Sequence, residues 1–356
     1  MKTLFLPFLA ALLFFTSCRQ DDDINSLEKN TNAVDLYTAG AENNKACYWK
    51  NGQKIILAGG DGLYVHQIIV DNNNVYAMGG KTTEYLSSGP KHNYLWKNGI
   101  KYDLEQYLEG ITPNAGSNFN NYINQSMVIE NGNIYFTGNT INPASTSSQD
   151  RYIFCIWKNN VKTVVQTSDS PTHFGAFSIF NNTTYLPSSR RNVTLDPVTN
   201  TFTWEVGYYK NLQYSSLAND SGVYGFYSDN TGVYAHIKNV FTNLSYFKNL
   251  QNNTILSVPS NIDQSQISNF VWDGNDKYYI GTDFYYKNNV LVPVTEPNGY
   301  NKIGSFIIKD QNIYTTRYKE GGNLVKVFIN NTEVQSIDIP PLLDPNVGGI
   351  LSIYAD

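Results

Sequence analysis

Three cysteines, Cys18, Cys47 and Cys155, and four histidines, His66, His92, His173 and His236, are the side chains best able to hold a metal or attack a substrate. No two histidines have the close spacing and acidic partner of a metal site, so each is expected on the surface or in a loop and no metal is expected. Asp71-Asn72-Asn73-Asn74 has some of the ligands of a calcium loop but lacks its glycine and distal glutamate, and reads as a turn. Cys47 and Cys155 each stand three residues before a lysine, Lys50 and Lys158, and so hold equivalent places in a repeat. Equivalent places two units apart lie beyond the ~7 Å between Cα atoms that a disulfide tolerates. Both thiols are expected to be free, buried and inert. The chain has no nucleophile elbow, phosphate loop, paired-carboxylate motif or dinucleotide fingerprint, so no cofactor and no catalytic residue is assigned.

Cys18 differs from the other two. Lys2 precedes an uncharged run from Leu4 to Phe15, too short for the ~20 residues that span a bilayer. The following Phe15-Thr16-Ser17-Cys18 resembles a bacterial lipobox, which implies loss of residues 1–17 and acylation of Cys18. Arg19-Gln20-Asp21-Asp22-Asp23 resembles the acidic surface-export signal of Bacteroidetes lipoproteins, which implies an outer-membrane protein facing outward. Residues 18–33 read as the lipidated cysteine and a flexible acidic tether.

The rest of the chain is built to position loops. A large apolar residue followed by Lys-Asn or Asn-Asn recurs seven times, at Trp49, Trp96, Trp157, Tyr209, Phe247, Tyr286 and Ile329. Seven residues after each Lys or Asn comes an aliphatic: Leu57, Leu104, Val165, Leu217, Ile255, Val294 and Ile337. A fixed offset of this kind belongs to a hairpin, with Asn-Gly or Asn-Asn supplying the positive φ of its turn. A tyrosine precedes each anchor, at Tyr37, Tyr76, Tyr135, Tyr185, Tyr234, Tyr279 and Tyr314, with a further apolar strand ahead of it. The unit therefore has four strands, a to d, in about 47 residues, within the ~40–50 of a propeller blade. The tryptophans recur inside strand c and read as inter-blade core.

The expected fold is all-β: a seven-bladed β-propeller of four-stranded antiparallel blades over residues 34–356. The first unit lacks a strand a, and Ile350 to Asp356 supplies it, so the C-terminal strand closes the ring. Aromatic content of 14% with 26 Gly fits this architecture. Only 15% of residues are charged, as expected where blades bury both faces. A net charge of −5 without a basic cluster excludes a nucleic-acid partner.

The Tyr-Trp-Lys-Asn-Gly and Val-Tyr-x-x-Gly signatures, at Tyr48 to Gly52 and Val75 to Gly79, resemble those of β-propeller lipoproteins of Bacteroidetes. That resemblance implies a fold and a compartment and brings no catalytic residues. The expected function is a non-catalytic binding or scaffold propeller for a glycan, peptide or protein partner. The alternative is a propeller hydrolase or lyase acting on polysaccharide or peptide, with a site assembled from scattered loop residues. The d-to-a and b-to-c connections share one face and hold the long insertions, 81–92, 105–124, 139–150, 187–203 and 295–303. They bring forward Tyr85, Tyr107, Phe119, Tyr122, His173, Phe174, Arg190, Arg191, Tyr300 and Arg317, aromatic and guanidinium groups suited to sugars or carboxylates.

Overall fold

A computed structural model describes residues 34–84, 92–110, 122–147, 150–168, 176–188, 191–196, 201–219, 221–239, 241–322, 324–338 and 350–356. The signal segment, Cys18 and the tether lie outside them. Seven antiparallel sheets follow one another, each a blade with strand a innermost and d at the rim. In blade 1 strand a is Ile350–Ala355, paired with Leu36–Glu42, and the order continues through Lys45–Lys50 to Gln53–Asp61. The C-terminal strand thus closes the ring. It is also tied to blade 2, where Ser352 Oγ accepts the Ile68 N–H at 3.1 Å and the Tyr354 hydroxyl donates to Val70 O at 2.7 Å.

The two sequence anchors are cross-strand neighbours. Tyr37 pairs with Lys50, Tyr76 with Lys97 and Tyr135 with Lys158. In each case the ammonium lies over the ring, at 5.3, 5.6 and 5.5 Å from its centroid, a cation–π contact worth ~0.5–1 kcal/mol where exposed. The turn asparagine does more. At Asn98 the backbone is left-handed (φ 51°), its N–H donates to Val75 O at 2.8 Å, Oδ1 accepts the Val75 N–H at 2.9 Å, and Nδ2 donates to Asn74 Oδ1 at 2.9 Å. The same clamp recurs at Asn51, Asn159, Asn288 and Asn330. Asn98→Ala removes two side-chain bonds and strains a positive φ, and is expected to lower the unfolding free energy by about 2 kcal/mol in urea.

Register slips correct the sequence assignments in three blades; in blade 7 Ile329, not Asn330, stands opposite Tyr314. In blade 6 Tyr278, not Tyr279, stands opposite Lys287. In blade 5 strand c (Ser245–Asn249) ends with Asn249 opposite Tyr234, and a longer connection precedes strand d (Ile255–Ser257). The core position therefore falls on buried Val258, and Ile255 is exposed. Leu104 is buried as expected but heads a short helix, α1 (Leu104–Glu109), capped by Asp103, whose side chain accepts the Gln106 N–H, and by Gly110 at φ 68°.

The cores lie between neighbouring blades. Tyr37, Leu57, Val65, Ile68 and Trp96 form the one shared by blades 1 and 2, and Trp96 Nε1 crosses to donate to Ala58 O at 3.0 Å. Trp49, Trp96 and Trp157 are all buried; burial of a large apolar side chain contributes ~1.5–3 kcal/mol. Cys47 and Cys155 are buried and free, and burial pushes their thiols up to about 12 and about 11.

Candidate functional site

The a–b and c–d turns emerge on one face of each blade, and the b–c and d–a connections on the other. The second face varies most. Blade 1 has only Asn43-Asn44 and Gly62 there, whereas blade 4 extends a hairpin in which Arg191–Asp196 pairs with Thr201–Glu205. The 187–203 insertion is therefore partly strand, and Tyr122 likewise begins strand a of blade 3 (Tyr122–Glu130). Arg191 is placed by its backbone opposite Glu205. Tyr85, Phe119, His173, Phe174 and Arg190 lie outside the described residues.

The remaining candidates are held by the fold. Tyr107 sits on α1, half-buried, its ring 5.6 Å from that of Tyr102. Arg317 is a strand residue, not a loop residue: it lies in strand b of blade 7 (Asn312–Tyr318) and is fully buried. Its Nη2 donates to Asn330 O and Asn331 Oδ1 at 3.1 and 3.0 Å, and its guanidinium lies 4.2 Å from the centre of the Phe328 ring. Tyr300 sits in the connection from blade 6 to blade 7, with the Lys326 ammonium 4.4 Å from its ring centre. Lys326 also bridges Glu296 at 3.2 Å and Glu333 at 2.8 Å. Burial works against the Glu296 charge, but the Tyr300 N–H, the Asn298 amide and Lys326 outweigh it and hold the carboxyl down at about 2.

The histidines differ from expectation. His92 does have an acidic partner, Glu84, whose Oε1 lies 2.6 Å from its Nδ1 and whose Oε2 accepts its backbone N–H. Burial raises the Glu84 carboxyl, yet His92 and Lys81 together hold it below its usual range. His236 is buried in strand b of blade 5 (Gly232–Asn239). His66 lies in strand a of blade 2 (Leu63–Asp71).

The innermost strands carry exposed and bulged residues that no motif marks. Strand a bulges in its first half, near the long-connection face, at His66 in blade 2, Tyr224 in blade 5 and Gly304 in blade 7. A bulge re-aims a side chain out of the ladder. Beside the His66 bulge the partner of Val65 must be glycine, since a Cβ on Gly79 would meet Tyr64 O at 1.8 Å. Tyr224 is 51% exposed, with Lys238 Nζ 6.0 Å from its ring centre. Nearby in sequence Phe241, 75% exposed, is held by a turn in which Asn239 Oδ1 accepts the Phe241 and Thr242 N–H groups at 3.0 and 2.9 Å. The one sequence signal for Tyr224 is its matching place with His66 ahead of the anchor tyrosine.

No family model and no curated protein matches the chain. Among solved structures it is similar to a puromycin-hydrolyzing peptidase of Mycobacterium tuberculosis, with a TM-score of 0.51 and 8% identity over 87% of this chain and 54% of that one. The chain thus spans about half the length of that peptidase. It is also similar to the β-propeller domain of the Trilobed protease of Pyrococcus furiosus, with a TM-score of 0.50 and 8% identity over 88% of this chain and 93% of that one. These likenesses show the propeller fold alone.

Proposed function

We propose that this propeller is a lipid-anchored binding module of the bacterial outer membrane, held by an acylated Cys18 and facing outward. It engages a glycan, peptide or protein partner through the long-connection face. The observations that support binding lie at that end of blade 5: Tyr224 is 51% exposed with the partly exposed Lys238 6.0 Å from its ring centre, and Phe241 in the following connection is 75% exposed. Such groups bind with little loss of side-chain freedom.

Cys18→Ala is expected to move the protein from the membrane fraction to the soluble fraction. Protease added to intact cells should digest the wild-type protein. Retention of the variant on membranes contradicts the anchor, and full protease resistance on intact cells contradicts the outward orientation.

The alternative, a hydrolase or lyase, is supported by the Glu84–His92 pair, which has the geometry of an oriented general base. The pair lies in the b–c connection of blade 2, away from the innermost strands where Tyr224 is exposed.

A further inference from the structure

The tight-turn face is not uniformly flat. A cleft of about 430 Å³ opens in it where the a–b turns of blades 3, 4 and 5 approach one another. Its lining includes Glu130, Phe180, Asn181, Ser228, Asn230 and Gln251. The side chains of Asn181, Ser228, Asn230 and Gln251 form no hydrogen bond with other described residues. Gly232, at φ 146°, leaves room for the Gln251 amide, whose Oε1 lies 3.0 Å from where a Cβ would sit.

Charge narrows what such a cleft can take. Asp229 at its edge is already engaged, by Thr231 N–H and Oγ at 2.8 and 2.6 Å and by Lys277 at 3.4 Å. Glu130 takes the Asn182 N–H on Oε2 at 3.1 Å, and Oε1 stays available as an acceptor. A single uncompensated carboxylate repels anions and supplies too few ligands for a metal cation. Primary amides and a hydroxyl both donate and accept, as ring hydroxyls require. The partly exposed Phe180 offers an apolar wall for a sugar's C–H face. The volume lies within the ~300–1,000 Å³ of small-ligand sites.

We infer that this cleft binds a neutral saccharide, on the face opposite the one used in the proposed function and independently of it. The saccharide is either free or the headgroup of a glycolipid, and the chemistry recognised is the same.

The test uses the full mature chain in detergent on an array of neutral and acidic oligosaccharides, with calorimetry on the hits. Neutral sugars are expected to bind and acidic ones not. The double variant N230A/Q251A should weaken binding at least tenfold at an unchanged Tm, while Y224A/F241A leaves it intact. The same sugar on lipid vesicles separates the two sources: binding only when lipid-borne identifies a headgroup, and binding in solution identifies a free saccharide. The inference is overturned if no neutral sugar binds, or if N230A/Q251A binds like the wild type. Loss with Y224A/F241A instead overturns the cleft while supporting the long-connection face.

Discussion

Between pH 7 and pH 4 the wild-type propeller is expected to lose about 3 kcal/mol of stability that a His236→Phe variant keeps. His236 is 5% exposed and lies among aromatic rings, 5.1 Å from Phe247 and 4.6 Å from Phe270 between centroids. Its Nε2 has no hydrogen-bond partner among the described residues. Burial first, and then the charge of Lys238, lower its pKa from 6.5 to about 4. The folded state therefore takes up a proton less readily than the unfolded chain. Stability from this residue is complete above pH 6.5 and is lost as the pH falls toward 4, at about 1.4 kcal/mol per unit. Urea unfolding of both proteins at several pH values isolates the effect, because carboxylates titrate in both. Parallel pH profiles would show that His236 is not the group responsible.

How far the sequence could be read follows from what each residue does. The turn asparagines were legible because one residue supplies a left-handed backbone and reaches back to strand b, so it recurs at a fixed offset. The paired Tyr and Lys were legible for a related reason, since each needs the other across the strand. Blade 5 slipped because its c–d connection is longer, which moves the core position from Ile255 to Val258. Blade 6 slipped because Tyr278 and Tyr279 are adjacent and only pairing distinguishes them.

The candidate site was less legible. Spacing puts His236 on the surface or in a loop and the long connections claim Arg317, but a blade is buried on both faces and so are both residues. Strand alternation therefore gives no outward side on which to place them. Tyr224 is exposed because a bulge lifts it from the ladder, and nothing in its neighbours' spelling marks a bulge. The long connections were legible as lengths only. Tyr107 and Tyr300 turned out to be packed against Tyr102 and Lys326, contacts that depend on α1 and on the approach of blades 6 and 7.

The ring itself underlies both binding proposals, because it sets which loops share a face. Deleting residues 350–356 removes strand a of blade 1 and with it buried Ile353 and Ala355. The deletion also takes away the two side-chain bonds to blade 2, from Tyr354 to Val70 O and from Ile68 N–H to Ser352. The edge of strand b, Leu36 to Gly40, is then unpaired, an open template for association. Burial of Ile353 contributes ~1.5–3 kcal/mol and of Ala355 ~0.8 kcal/mol, and each of the two bonds ~0.5–1.5 kcal/mol, so the loss is about 5 kcal/mol, a large part of a domain's ~5–15 kcal/mol. Thermal unfolding of the truncated and full-length proteins, with size-exclusion chromatography before heating, is the direct measurement. A Tm lower by ~10 °C or more, with dimers or aggregates in the truncated protein, is the result expected of a ring closed by its last strand; a truncated monomer that melts like the full-length protein would contradict it.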